Sequence, residues 1–192
     1  MGKDTCVNVI YDDRQPEDYQ RLLDEFKVQG IVNSVFWKAV IDKNDVVSSI
    51  NSSHKMIVSW AKYTKKPFVV IAEQDLHFTC VGAWDYFMQN KPEYYDLYLA
   101  CTYIPPISNN QVCGFHLYVV SERFYDKFLS VPSDKHIDTS MNNLGGDYKF
   151  CYPFPALQRS GYSFNNKAVV NYNAVLTKED IYENPIHNVQ GK

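Results

Sequence analysis

The chain lacks the closely spaced cysteine pairs that zinc knuckles and redox motifs use. Its cysteines are odd in number and far apart, and no C-x-x-C pair occurs among them. Isolated cysteines usually behave as small buried hydrophobic residues. We therefore expect reduced thiols, and neither a zinc knuckle nor a disulfide framework, from Cys6, Cys80, Cys101, Cys113 and Cys151.

Clusters of basic residues are also missing. The formal net charge is −3, and Lys65-Lys66 is the sole adjacent basic pair in the sequence. Proteins that bind nucleic acid usually carry a dense positive stripe or patch. The composition therefore argues against nucleic acid as a main partner.

Long hydrophobic runs are absent as well. The longest apolar segments are strand-like, such as residues 68–72, whereas a helix that spans a bilayer needs about 18–20 apolar residues. Residues 1–5 lead directly into a strand-like segment, without the basic and apolar regions of a signal peptide. We expect a cytoplasmic protein with no integral membrane segment.

The residues that are present indicate an ordinary globular protein. Hydrophobic residues make up 45% of the chain and charged residues 21%, which is far from the composition of disordered proteins. We expect a single domain over residues 1–192. Fifteen tyrosines could line a carbohydrate site, although packing into the core is their commoner use.

Strand and helix patterns alternate through the first part of the chain. Alternation of this kind favours right-handed βαβ units and a mostly parallel, Rossmann-type sheet flanked by helices, in the α/β class. Boundaries are less distinct after residue 78. The predicted strands are at 5–11, 31–37, 68–72, 96–103 and 112–120, with short strands near Phe150 and at 168–172. The predicted helices are at 17–29, at 83–89, after Ser121, and in a segment that begins at the capping residues Asn51-Ser52-Ser53. A loop is predicted at 105–110.

Potential metal ligands follow the most apolar strand. Glu73, Asp75 and His77 are spaced by two, so they would share one face if the extended conformation continued, with Gln74 on the other face. In open α/β sheets, ligands bind at the carboxyl ends of strands. Carboxylate oxygens suit Mn²⁺ or Mg²⁺, which usually also bind substrate phosphates. An exposed pair of loop carboxylates is the plainer alternative.

Several motifs together carry a family resemblance. Ser53-His54-Lys55, the helical Trp60-Ala61 and then Pro67–Phe78 with Glu73-Gln74-Asp75 resemble the S-H, helix, apolar strand and E-D-D-x-x-F arrangement of glycosyltransferase family 25. Weaker similarities bring the matched region to about residues 6–165. They are the strand and D-R turn at 9–14, the G-x-x-x-Y strand at 114–121, His136-Ile137-Asp138 on the acceptor side, and Gln158 with Ser160 in a late Q-x-x-S pattern.

The resemblance implies a GT-A fold and a hexosyltransferase. The donor would be a nucleotide-sugar, often a UDP-sugar, and the acceptor a glycan or a lipid-linked sugar. Asp75 and Glu73 would hold the divalent cation on the donor diphosphate, Arg14 and His54 would contribute to donor binding, and Asp138 would be the general base. The sequence departs from the family pattern at Gln74, where the family has an acid, in the absence of a Gly-Cys element before Ser53-His54, and in its shorter length.

Each of these residues also has a structural alternative. His54 could be an ordinary buried histidine, Asp138 could cap a helix, and Arg14 could be solvated. Two further functions stay open: a catalytically silent GT-A-like domain that binds a nucleotide or glycan, and a nucleotidyltransferase that would release pyrophosphate.

Overall fold

The structure is a computed structural model that describes residues 5–104 and 111–184. The predicted loop at 105–110 lies outside the described residues. The strands are β1 (Val7–Tyr11), β2 (Ser34–Lys38), β3 (Phe68–Glu73), β4 (Leu76–Phe78), β5 (Leu97–Leu99), β6 (Leu117–Ser121), β7 (Tyr148–Phe150), β8 (Ala156–Gln158), β9 (Gly161–Ser163) and β10 (Ala168–Val170). The α-helices are α1 (Pro16–Gln29), α2 (Val46–Tyr63), α3 (Ala83–Gln89), α4 (Tyr125–Leu129) and α5 (Ile137–Leu144).

Six of the strands form the central sheet, in the order β2-β1-β3-β6-β5-β7. β1 pairs in parallel with β2 and β3, and β5 pairs in parallel with β7. β6 is antiparallel to both of its neighbours, β3 and β5. All strands of this sheet except β6 therefore run in one direction, which confirms the prediction of a mostly parallel sheet in the α/β class.

Helices cover both faces of the sheet. Val70 and Ala72 of β3 pack in a cluster with α1 and α3, while Val69 and Ile71 pack on the other face with α2, α4 and α5. A strand buried on both faces needs apolar residues at every position, because successive side chains point to opposite sides. This burial explains the continuous apolar run at residues 68–72.

The second helix begins earlier than the sequence predicts. It starts after Asp45, whose side chain accepts a hydrogen bond from the Ser48 amide at 2.9 Å. The predicted caps lie inside α2 instead: Asn51 donates to the carbonyls of Pro132 and Lys135, both at 2.9 Å, and Ser53 donates to the Ser49 carbonyl at 2.8 Å. The Ser53 hydroxyl also accepts a hydrogen bond from the Val40 amide at 2.9 Å, so both residues attach α2 to neighbouring loops.

A small antiparallel pair, β4 with β8, lies outside the main sheet. Leu76 is opposite Gln158 in this pair, so the end of β3 is brought against a segment about 80 residues further along the chain. The sequence predicts neither β4, β8, β9 nor α5. The predicted helix after Ser121 is split into a 3-10 turn at Glu122–Phe124 and α4, with no side-chain cap from Ser121.

Candidate active site

A cavity of about 450 Å³ opens at the carboxyl ends of β1, β2 and β3. The residues after these strands form its floor and one side, and residues 158–165, at the end of β8 and through β9, form another wall. Among the described residues that line it are six carboxylates, of Asp12, Glu17, Asp18, Asp42, Glu73 and Asp75, and three guanidiniums, of Arg14, Arg21 and Arg159. The lining is therefore strongly acidic.

Asp75 has one satisfied and one unsatisfied oxygen. Its Oδ2 accepts a hydrogen bond from Gln158 Nε2 at 2.7 Å, while Oδ1 is buried without a hydrogen-bond partner in the described part of the chain. Burial, and then the negative charge of Glu73, raise the pKa of Asp75 to about 7. A buried carboxylate oxygen without a partner is costly, so a ligand for it is the expected explanation.

Glu73 is held by a buried chain of hydrogen bonds. Its Oε1 lies 3.0 Å from His54 Nε2, and His54 Nδ1 lies 2.8 Å from the Tyr118 hydroxyl. Burial raises the pKa of Tyr118 well above its usual value, so the hydroxyl stays protonated and donates to Nδ1. His54 then donates from Nε2 to Glu73. Burial acts to raise the pKa of Glu73, but the interactions with His54 and His116 together lower it.

His54 therefore combines two of the roles considered for it. The imidazole is 1% exposed and is fixed on both nitrogens, as a structural histidine would be. It also lines the cavity and orients Glu73. Partners that orient ligating side chains in this way commonly tune metal sites.

Gln74 lies in the same cavity as its acidic neighbours, so the prediction that it points to the opposite face is wrong. Its Oε1 accepts from the Asp12 amide at 2.6 Å, and its Nε2 donates to Gln15 Oε1 at 3.1 Å. An amide both accepts and donates, whereas a carboxylate only accepts. The glutamine thus joins the end of β3 to the loop after β1, which gives a structural reason for the departure from an acid.

Arg14 lines the cavity but is already engaged. Its Nε lies 2.8 and 2.9 Å from the two carboxylate oxygens of Asp12, and its guanidinium carbon lies 4.1 Å from the centre of the Phe164 ring. These hydrogen bonds lower the pKa of Asp12, against the effect of burial, and raise the pKa of Arg14. The arginine connects the loop after β1 to the loop after β9.

Two predicted residues lie elsewhere. The chain turns at Gln74 and Asp75 instead of continuing as a strand, so His77 does not share a side with Glu73 and Asp75. His77 Nδ1 contacts Glu25 at 2.6 Å and lines a different, shallow cavity. Asp138, in the first turn of α5, accepts from the Gly114 amide at 2.9 Å and does not line the cavity. Its catalytic role stays a prediction without support from its position.

The structure gives Gln158 a direct contact with the candidate site that the sequence pattern does not predict. It is the residue that contacts Asp75, and its own backbone amide donates to the Tyr103 hydroxyl at 2.7 Å. Ser160 also lines the cavity, with its hydroxyl 2.9 Å from Asn171 Oδ1. The loose Q-x-x-S pattern is the one sequence feature that indicates Gln158 and Ser160 as site residues. It does not predict the pairing of β4 with β8 that brings them to the cavity.

The described residues contain no group of three or more His, Cys, Asp or Glu side chains that could hold a metal by themselves. Mg²⁺ and related ions are commonly bound by one or two carboxylates, together with waters and substrate phosphates. Two carboxylates at a strand end, one with an unpartnered oxygen, fit that mode of binding.

Similarity to known proteins is seen at the level of structure. No protein-family model matches the sequence, and a search of curated proteins finds no match. Similar solved structures include the glycosyltransferase GlyE of Streptococcus pneumoniae TIGR4, with a TM-score of 0.51, 8% identity, and coverage of 76% of this chain and 44% of GlyE.

Two others have lower scores. A glycosyltransferase involved in glycosylation of the major capsid of PBCV-1 has a TM-score of 0.47 and 8% identity, with coverage of 76% of this chain and 81% of that one. Drosophila β1,4-galactosyltransferase 7, solved with manganese, UDP-Gal and xylobiose, has a TM-score of 0.47 and 11% identity, with coverage of 77% of this chain and 65% of that one. The chain thus spans less than half of GlyE. These structural neighbours are glycosyltransferases, and the likeness to GlyE supports the GT-A-like fold of this chain.

None of the helices in the described part of the chain combines the length and apolar character needed to cross a membrane.

Proposed function

We propose that this protein is a glycosyltransferase that moves a hexose from a nucleotide-sugar, in the first instance a UDP-sugar, to a hydroxyl group of a glycan, with Mn²⁺ or Mg²⁺ as cofactor. The observation that carries the proposal is the pair Glu73 and Asp75 at the end of β3, with a buried unpartnered oxygen in a 450 Å³ cavity. Membership of family 25 belongs to the same proposal, through the motif at residues 53–78.

The charge of the cavity supports a cation. The lining has three more carboxylates than guanidiniums, and each of the three arginines is paired with a carboxylate, of Asp12, Asp18 or Glu25. A diphosphate would be repelled from such a surface without a positive ion between them. Asp75 and Glu73 are the residues that would hold the ion, because both line the cavity at the end of β3 and are only two residues apart.

The opposite end of the cavity suits a nucleoside. The segment after β2 and the first turns of α2 contribute mainly apolar side chains there, Ala39, Val40, Ile41, Val46 and Ile50. Small-molecule sites typically combine an apolar lining with a few placed polar groups. A base at this end and a diphosphate at the acidic end would span the cavity from β2 to β3.

The residues of the chain would then act by positioning. A bound divalent cation supplies stabilisation of the negative charge on the departing nucleoside diphosphate. His54 holds Glu73, and Gln158 holds Asp75, so neither carboxylate has to reorganise when that charge develops. The acceptor oxygen would form the new bond to the anomeric carbon as the bond to the diphosphate breaks, and the hydroxyl proton would pass to the departing diphosphate or to water.

A donor panel tests this proposal. The wild-type protein is incubated with UDP-, GDP- and dTDP-sugars, Mn²⁺ and mixed glycan acceptors, and products are identified by mass spectrometry, with Asp75→Asn as the matched control. We expect a hexose-extended acceptor and free nucleoside diphosphate with the wild type alone. Binding without transfer or hydrolysis of any donor would favour a silent binding domain. Release of pyrophosphate from a nucleoside triphosphate would favour a nucleotidyltransferase.

A further inference from the structure

The wall of the cavity formed after β8 differs in chemistry from its floor. Residues 160–166 read Ser-Gly-Tyr-Ser-Phe-Asn-Asn and carry no charge, while the floor is rich in carboxylates. All of these residues except Asn166 line the cavity with their side chains or backbone. The wall offers hydroxyl groups, amides and aromatic rings.

Tyr162 is unusually exposed for an aromatic residue in a cavity wall. It is 52% exposed, and its ring meets Phe164 edge-on, with centroids 5.4 Å apart and planes at 86°. Phe164 in turn lies over the Arg14 guanidinium at 4.1 Å. Phe164 is therefore anchored on the protein, and much of Tyr162 remains open to a ligand.

The distance from the proposed reaction centre is suitable for a sugar. Gln158 contacts Asp75, and Tyr162 follows four residues later, so the backbones of Gln158 and Tyr162 are separated by at most about 14 Å at roughly 3.6 Å per residue. That span accommodates one or two sugar rings. An acceptor held at Tyr162 could place a hydroxyl group near the acidic turn.

We propose that Tyr162, supported by Phe164, is the acceptor subsite, and that it takes an uncharged sugar ring. This inference rests on the proposed function and specifies its acceptor. A pyranose presents apolar C–H faces that pack on an aromatic ring, as well as hydroxyl groups that bond to Ser, Asn and Tyr side chains. An anionic sugar would be disfavoured, because the floor is acidic and the guanidiniums nearest the wall, of Arg14 and Arg159, are already paired with Asp12 and Glu25.

Glycan binding measured apart from nucleotide binding tests the inference. The protein with UDP and Mn²⁺ is applied to an array of neutral glycans and their sialylated or phosphorylated counterparts, and the affinity for UDP is measured separately by calorimetry. We expect the wild type to prefer neutral glycans. Tyr162→Ala should lose about tenfold in glycan affinity and keep UDP affinity within about twofold, and Tyr162→Phe should retain most of the glycan binding.

The control is Tyr94→Ala, which removes a tyrosine that is 69% exposed and does not line the cavity. It should leave both affinities unchanged. A neutral sugar could come from a free glycan or from a lipid-linked one, so the preferred glycan is tested in both forms, and Tyr162→Ala should weaken both alike. Preference for anionic glycans, no binding of neutral ones, or undiminished binding by Tyr162→Ala would overturn the subsite. Absence of UDP binding would instead refute the proposed function.

Discussion

Replacing Asp75 by Asn should stabilise the metal-free protein at alkaline pH. Burial and the negative charge of Glu73 both disfavour the ionised form of Asp75, and they raise its pKa to about 7 from an ordinary value of 3.8. A raised carboxylate pKa means that the folded state holds the proton more tightly than the unfolded state. Its contribution to stability is therefore fully present below about pH 4 and is lost as the pH rises to about 7.

The size of the effect follows from the shift. At about 1.4 kcal/mol per pKa unit, the full difference corresponds to roughly 4 kcal/mol. Asp75 is only half-buried and shares its charge with Glu73, so we expect about 1–2 kcal/mol at pH 8.5. For a chain of this length that is a rise in Tm of about 2–8 °C. Near pH 4 the variant and the wild type should differ much less.

Urea denaturation with EDTA at pH 4.5 and pH 8.5 measures the difference directly. Addition of Mn²⁺ should then reverse the order of stability, because a ligand at a hundred times its Kd stabilises the wild type by about 2.7 kcal/mol and should scarcely bind the variant. A variant that is less stable than the wild type at pH 8.5 in EDTA, or equally stabilised by Mn²⁺, would refute the reasoning.

Further variants address the residues that surround the two carboxylates. Gln158→Leu should weaken Mn²⁺-dependent UDP binding about tenfold, since Asp75 loses the donor that orients it; calorimetry measures this, and unchanged affinity would contradict it. Tyr118→Phe keeps the ring but removes the hydroxyl that fixes His54, so we expect a loss of about 1 kcal/mol in urea denaturation and a weaker Mn²⁺ affinity, and no change in either would speak against the hydrogen-bond chain. Gln74→Glu should lower stability by about 1–3 kcal/mol, because a carboxylate cannot donate to Gln15, and a stable variant would show that the amide is dispensable. Asp138→Asn should keep turnover within about threefold, and a loss of a hundredfold or more would restore its assignment as the base.

The sequence predicts the first half of the fold well, because local patterns dominate there. The continuous apolar run at 68–72 indicates a strand buried on both faces, and α1 has a clear helical spacing that ends at Gly30, which adopts a left-handed conformation with φ of 69°. The sequence misplaces the start of α2 because Asn51 and Ser53, which favour caps, lie inside the helix and make tertiary hydrogen bonds there. Asn51 donates to the Pro132 carbonyl, and the Ser53 hydroxyl accepts from the Val40 amide. Tertiary contacts overrode local preference at these positions.

The candidate site could be predicted only in part. The sequence predicts Glu73 and Asp75 as site residues because they follow a continuous apolar strand, and this signal is local in the chain. The assignment of His77 and the orientation of Gln74 assumed that the strand continues, and the turn at residues 74–75 invalidates both. Gln158 reaches Asp75 through the pairing of β4 with β8, a long-range contact that no local pattern reports.

Titration of UDP into the protein, with Mn²⁺ or with EDTA, tests the central claim most directly. Calorimetry of the wild type should show one site for UDP with Mn²⁺ and binding at least tenfold weaker in EDTA, and Asp75→Asn should remove the difference between the two conditions. Equal binding of UDP with and without the cation, or no binding of UDP in either condition, would contradict the assignment of Glu73 and Asp75 as the cation-dependent diphosphate site.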